Sequence, residues 1–167
     1  GQDVVWRNRV ARHLPKKDNL RLLDLATGTA DQLISIFKHN KNADSAIGID
    51  MAEMMLEVGR TKLEKRNLNE SITLQTGNAV KIPFSDQSFD ATTISFGIRN
   101  VSDVSESLRE MHRVLRKDGR AIILEFSLPG NALIRSGYLF YFRHILPRLG
   151  SLISGDSYAY KYLNQTV

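Results

Sequence analysis

The amino-acid sequence predicts an α/β fold: an open, mostly parallel sheet of five strands with helices on both faces. Three observations predict it. Five short apolar or β-rich runs recur along the chain, one-sided helical stripes separate most of them, and the first run stops at a small-residue turn of the kind that opens a ligand site beyond a parallel strand. With 167 residues and 42% hydrophobic composition, the chain is long enough for one core of ordinary size, so a single domain over 1–167 is expected.

The first strand is Leu20 to Leu25, whose composition suits burial on both faces. A helix over Asp31 to His39 follows, with Leu33, Ile34 and Phe37 on one side. The second strand, Ala46 to Ile49, is short and runs into Asp50. Ala52 to Lys65 reads as a helix through Met55, Leu56, Gly59 and Leu63. Strands at Ile72 to Gln75 and Phe89 to Phe96 come next, and Ser102 to Arg116 is a helix through Leu108, Met111 and Leu115. Ser102 with Asp103 offers its N-cap, and the basic "RKDG" ending at Gly119 offers its stop. Ala121 to Phe126 is the fifth strand. From about residue 127 the texture turns aromatic and basic, with prolines and glycines, and reads as helices and loops laid over the sheet.

Composition excludes several functions. The absence of cysteine removes disulfides, thiolate chemistry and cysteine zinc sites, and the four histidines lack metal-site spacing, so no metal is expected. No apolar run reaches the roughly 18 to 20 residues of a membrane span and no leader pattern opens the chain, which reads as soluble and cytoplasmic. The net charge of +5 and pI near 9.6 are compatible with nucleic acid or an anionic membrane. The cations lie on the polar faces of helical patterns, however, and a solvated surface accounts for them.

The stretch "RLLDLATGTADQL" carries the chemistry. Asp24 interrupts a buried strand at a cost that only a hydrogen-bonding or charged partner would offset. The turn Ala26-Thr27-Gly28-Thr29-Ala30 lets a ligand approach backbone, with Gly28 free to take positive φ. A dinucleotide fingerprint would need further glycines where Ala30 and Leu33 stand, and a phosphate loop would need a lysine and no flanking carboxylates. The ligand is therefore nucleotide-like without phosphates. Asp50, about twenty positions on, is placed for a ribose diol, with Met51 beside it to pack on a base. Asn78 and Ala79, just beyond the third strand, offer an amide and a backbone NH to an adenine edge. Asp24 and Asp31 favour a cationic tail, and the ligand that combines these features is S-adenosylmethionine. Taken singly, each aspartate is equally well explained as a helix cap.

Five motifs, "LDLATGTADQ", "GIDMAEMML", "NAVKIPFSDQSFDATTISFGIRNV", "EMHRVLRKDGRAIILEFSLP" and "SYAYKYLNQTV", together resemble the UbiE family of ubiquinone and menaquinone biosynthesis C-methyltransferases, which are Rossmann-like class I S-adenosylmethionine enzymes. "TISFGIRNV" followed by "EFS" is specific to that family, and the opening "GQDVVWR" is similar to the end of its N-terminal signature. The family usually has glycines where this chain has Thr27 and Ala30, and a proline-glycine-glycine near Lys117-Asp118-Gly119. It also begins earlier and continues past "YLNQTV" with a helix and a hairpin, so the chain reads as a core fragment. Absence of those strands would leave an exposed sheet edge, an association surface compatible with a homodimer.

The resemblance implies methyl transfer to a ring carbon of a polyprenylated hydroquinone. It places Thr29, Asp50, Asn78, Ala79 and Ser95 in the cofactor site, which Asp24, Gly28, Asp31 and Met51 complete on physical grounds. In "GIRNV", Arg99 would steady phenolate charge and Asn100 would fix a ring oxygen; arginine stays protonated, so an electrostatic role is preferred to a direct base. Against this stands a plain ion pair of Arg99 with an acidic neighbour such as Asp103. Tyr158 and Tyr162 either cap the substrate pocket or merely pack. The segment 138–149, "YLFYFRHILPRL", suits peripheral contact with a membrane or a lid over a prenyl tail, within a helical lid or substrate segment that spans residues 127–167.

Four rivals remain. A nucleic-acid methyltransferase lacks its "NPPY"-type motif and any basic, aromatic-interleaved patch, so no nucleic-acid partner is expected. A non-catalytic, cofactor-binding adaptor in a quinone-biosynthesis complex gains some footing from the altered loop, and an enzyme acting on another small molecule is also compatible. A dehydrogenase is disfavoured by glycine spacing.

Overall fold

The structure, a computed structural model, describes residues 2–126. In chain order the elements are α1 (Gln2–His13), β1 (Leu20–Leu25), α2 (Asp31–His39), β2 (Ala43–Asp50), α3 (Glu53–Glu64), β3 (Ile72–Thr76), β4 (Phe89–Ser95), a single 3-10 turn (Ile98–Asn100), α4 (Val104–Val114) and β5 (Leu115–Leu124). The five strands form one sheet in the order β3-β2-β1-β4-β5, and every pairing is parallel. Central β1 pairs with β2 on one side and β4 on the other, with Asp24 level with Gly48 and Thr93.

Both faces of the sheet are covered, as the near-continuous apolar strands require. Leu20 and Leu22 of β1 pack with Val10 and Ala11 of α1, Leu33 and Ile36 of α2 and Leu56 and Leu63 of α3. Leu23 and Leu25 point the other way, into a cluster with Ile94, Phe89, Ile82 and the α4 residues Met111 and Val114. These two clusters hold the strand ends that carry the pocket. Full burial of each leucine contributes about 1.5–3 kcal/mol.

Several boundaries differ from the sequence expectation. Helix α4 stops at Val114, and Leu115 already pairs with Phe89, so "RKDG" is not a helix stop. It forms an irregularity within β5: between the pairs Phe89/Leu115 and Ala91/Arg120, Asp90 alone on β4 stands against Arg116, Lys117, Asp118 and Gly119 on β5, with Asp118 at φ 67°. The N-cap of α4 is Asp103 alone, whose carboxylate accepts the Glu106 amide. The buried stripe of α4 is Ser107, Met111 and Val114, while Leu108 is exposed, because the helix lies rotated against the sheet. Arg113 is no solvated cation either. It ties α4 to the loop after β3 through Glu110, Asp86 and the carbonyls of Ile82 and Phe84. Among the described residues no helix is long and apolar enough to cross a membrane.

Candidate functional site

Between β1 and β4 the sheet order reverses, and connections leave the two strands in opposite directions, which opens a crevice at their carboxyl ends. Two tight turns form its floor. In the turn after β1, Ala26, Gly28 and Ala30 have φ of 47°, 55° and 63°, so three of five residues are left-handed. Glycine adopts this freely, whereas each alanine is strained by about 1–2 kcal/mol. The turn is pinned by the Thr27 amide on the Ile49 carbonyl at 3.1 Å and the Ala30 amide on the Thr27 carbonyl at 3.0 Å. In the turn after β4, Phe96 has φ 59° and Gly97 follows. A methyl on Gly97 would lie 2.6 Å from the Ala26 methyl, so the two turns touch.

Three carboxylates surround this floor. Asp24 is 1% exposed and accepts hydroxyl protons from Thr27 at 2.7 Å and Thr93 at 2.5 Å. Burial pushes its carboxyl up from 3.8 to about 6, against the pull of the Thr93 and Thr27 bonds and the Arg7 charge. Asp50, at the end of β2, accepts the Gly28 amide at 2.8 Å and the Ala52 amide at 2.9 Å. Asp31 opens α2. Although partial burial alone would raise its carboxyl, hydrogen bonds from Lys62 and Thr29 and the Lys62 charge hold it below the usual range.

Helix α1 supplies the fourth side. Gln32 of α2 is 1% exposed, accepts the Ser95 hydroxyl at 2.9 Å and donates to the Arg7 carbonyl at 3.2 Å. The Arg7 guanidinium sits 5.2 Å from the centre of the Phe96 ring, which also meets Trp6 with centroids 6.2 Å apart. On the opposite side, Met51 is 70% exposed at the rim, with Met55 beside it. Asn78 accepts the Val80 amide at 3.0 Å through Oδ1, and Ala79 behind it is buried.

The cavity in this crevice is about 520 Å³. Asp24, Gly28, Thr29, Asp31, Asp50, Met51, Asn78, Ala79, Ser95 and Asn100, all singled out from the sequence, line it. Arg99 is not among the lining residues; it pairs with Glu125 at 3.2 Å rather than with Asp103. Tyr158, Tyr162 and the segment 127–167 lie outside the described residues. Arg7, Gln32, Phe96 and Gly97 also line the cavity and were not read from sequence. Gln32 and Ser35 left one signal, polar residues on the inward side of an apolar helix, where Ser35 reaches Asn8 at 2.8 Å.

The cavity has the volume of a small-ligand site. Among the described lining residues Arg7 is the one cation against three aspartates, a charge pattern that disfavours a pyrophosphate and favours a cationic ligand. A buried carboxyl raised by burial fits the same ligand, since an incoming cation would offset the missing hydration of Asp24. The residues present therefore fit S-adenosylmethionine.

The profile of the ubiE/COQ5 methyltransferase family matches residues 1–167. The chain is 42% identical, over all 167 residues, to 71% of the length of the ubiquinone/menaquinone biosynthesis C-methyltransferase UbiE of Geotalea uraniireducens. It is 36% identical over its full length to 68% of the demethylmenaquinone methyltransferase of Porphyromonas gingivalis. Among solved structures, the YcgJ protein of Bacillus subtilis superposes with a TM-score of 0.67 at 25% identity, covering 85% of this chain and 58% of that one.

Proposed function

This chain belongs to the ubiE/COQ5 methyltransferase family, and from that premise we propose that it transfers a methyl group from S-adenosylmethionine to a ring carbon of a polyprenylated hydroquinone in menaquinone or ubiquinone biosynthesis. The observation that carries the reading is the position of Asp50. Its carboxylate stands at the end of β2, level with the pocket floor, already joined to the Gly28 amide and with lone pairs left for the two hydroxyls of a ribose.

S-adenosylmethionine, when bound, supplies an electrophilic methyl group on a sulfonium. Asp24 holds negative charge near its cationic end, and Asp31, shared with Lys62, adds to the same field. Met51 and Ala79 flank the base, and the Asn78 amide, whose oxygen is taken by Val80, offers its NH2 to the adenine edge. The Gly28–Thr29 backbone lets the ligand lie close to the floor.

Transfer to carbon needs an electron-rich ring, so a phenolic proton must leave or the resulting anion must be held. As the carbon–methyl bond forms, the sulfur–methyl bond would break with S-adenosylhomocysteine as leaving group, and the ring carbon would give up its own proton to water to restore the aromatic ring. Asn100 lines the pocket and orients a ring oxygen. Arg99, drawn back by Glu125, acts as a fixed positive charge beside it rather than as a base. Much of the acceleration comes from holding donor and ring carbon in line.

The test is isotopically labelled methyl transfer by the full protein to a short-chain demethylmenaquinol and to the matching benzoquinol. Label on a ring carbon of either, lost in Asp50→Asn, supports the reading. Tight donor binding with no transfer to either acceptor overturns the reaction while leaving the cofactor site standing.

A further inference from the structure

The loop after β3, residues 77–88, carries Asn78 and Ala79 into the pocket, and its regular structure amounts to an isolated bridge between Asn78 and Lys81. Its remaining backbone groups must find partners elsewhere. The last turn of α4 supplies them. All five N–H groups of the Arg113 guanidinium are used: Nε and Nη2 donate to the Glu110 carboxylate at 2.6 and 2.9 Å, Nη2 also to the Ile82 carbonyl at 3.0 Å, and Nη1 to the Phe84 carbonyl at 2.8 Å and to Asp86 at 2.7 Å. Glu110 in turn accepts the Ile82 amide at 2.7 Å. The Gln87 and Ser88 amides close the set on the carbonyls of Arg113 and Val114.

The pocket end of the loop hangs between two anchors. One is the Gly77 amide on the Asp50 carbonyl at 3.0 Å. The other is Ile82, held through its carbonyl by Arg113 and through its amide by Glu110. Between them the bonds are short-range, the Val80 amide on Asn78 Oδ1 at 3.0 Å and the Lys81 amide on the Asn78 carbonyl at 3.1 Å. These bonds make residues 78–81 a small unit but do not fix where it stands relative to β2. Buried Ala79 and Ile82 keep that unit on the core, yet apolar contact is non-directional, whereas a planar fork on two carbonyls and a carboxylate sets both position and angle.

We propose that Arg113 is a positioning residue for base selection: by fixing Ile82 it sets the placement of Asn78, which reads the base, relative to Asp50, which reads the ribose. This rests on the donor assignment above and deepens it, because the choice of base then depends on a side chain of α4 that is not among the lining residues of the cavity.

Calorimetric titration of the full wild-type protein, Arg113→Met, Arg113→Lys and Asp86→Ala tests this with three ligands: S-adenosylhomocysteine, its inosine counterpart, in which an oxo group replaces the 6-amino group, and its 2′-deoxyadenosine counterpart. The wild type is expected to prefer adenosine to inosine by about tenfold, and ribose to deoxyribose through Asp50. In Arg113→Met the base preference should fall below about threefold while the ribose preference stays. Arg113→Lys, with three donors in place of five, should recover part of it. Asp86→Ala removes one partner whose side chain is 72% exposed; it should give an intermediate base preference and decides the matter if Arg113→Met does not fold. A base preference unchanged in both variants, or base and ribose preferences lost together, makes Arg113 merely structural and overturns the proposal. A wild type indifferent to the base also overturns it but keeps the donor site. A wild type that binds none of the three brings down the donor assignment and, with it, the role of Arg113.

Discussion

Asp50 accepts the Gly28 amide at 2.8 Å, so the carboxylate that ends β2 also fixes the turn that ends β1. Asp50→Ala removes that bond and the one to Ala52, and a loss of about 1–3 kcal/mol in unfolding free energy is expected. Affinity for S-adenosylmethionine should fall further than in Asp50→Asn, which keeps one acceptor oxygen. Thermal melts and calorimetry read the two effects, and an unchanged donor affinity in Asp50→Ala would remove the ribose assignment.

Asp24 makes stability and binding respond to pH in opposite senses. Its folded carboxyl titrates near 6 because of burial, against an ordinary value of 3.8. Between about pH 4 and 6 the folded protein holds a proton that the unfolded chain has released, so stability falls as pH rises through that window, by on the order of 3 kcal/mol. Asp24→Asn should abolish the fall. Donor binding wants the ionised form and should weaken as pH drops below 6, with proton release on binding near pH 6. A donor affinity flat from pH 5 to 8 would contradict this.

The contact between Ala26 and Gly97 predicts a rescue. Gly97→Ala places a methyl 2.6 Å from the Ala26 methyl and forces one turn to move, at about 1–3 kcal/mol. Both turns line the pocket, so donor affinity should fall too. Adding Ala26→Gly clears the space, and at φ 47° glycine is the better residue there. Double-mutant melts should show the second substitution recovering most of the loss; additive losses would refute the contact.

At the other end of the sheet, Asp90 is 3% exposed and joins Lys17 at 2.6 Å, Arg116 at 2.9 Å and the Arg21 amide at 2.9 Å. Burial alone would raise its carboxyl, but these bonds hold it below the usual range. A depressed folded value contributes stability above about pH 4 that is lost as pH falls through the carboxylate range. Asp90→Asn should lose about 1–3 kcal/mol at pH 7 and show a shallower acid limb, read by urea titrations at several pH values. Equal acid limbs in the two proteins would count against the cluster.

Arg99 and donor binding should separate. Because Arg99 pairs with Glu125 and does not line the cavity, Arg99→Met is expected to leave the donor affinity within about twofold while lowering turnover by roughly a hundredfold. Parallel losses in both would return Arg99 to a purely structural role.

What the sequence made legible is the part governed by near neighbours. Strand β1, helix α2 and the left-handed Gly28 follow from an apolar run, a stripe and a turn within a dozen residues. Even the partners demanded by Asp24 could be expected, although only the fold supplies Thr93 from 69 positions away. Arg7 was illegible because its meaning comes from α1 lying on α2, a contact no local pattern announces. The same holds for Leu108 and the "RKDG" stretch, where the rotation of α4 and the register of β5 against β4 overrule a plausible local reading. Ala30 shows the reverse: the glycine usual in the family is explained by a φ of 63°, which this chain tolerates with a buried alanine.

The Asp90 cluster gives the sheet two unlike rims. One is fastened by charge, three stretches of chain drawn to a single carboxylate. The other is made of strained turns in mutual contact. A protein arranged this way can be re-tailored at the strained rim, turn by turn, while the fastened rim keeps the strands in register. The chemistry of the pocket is thereby free to diverge without the fold having to be reinvented.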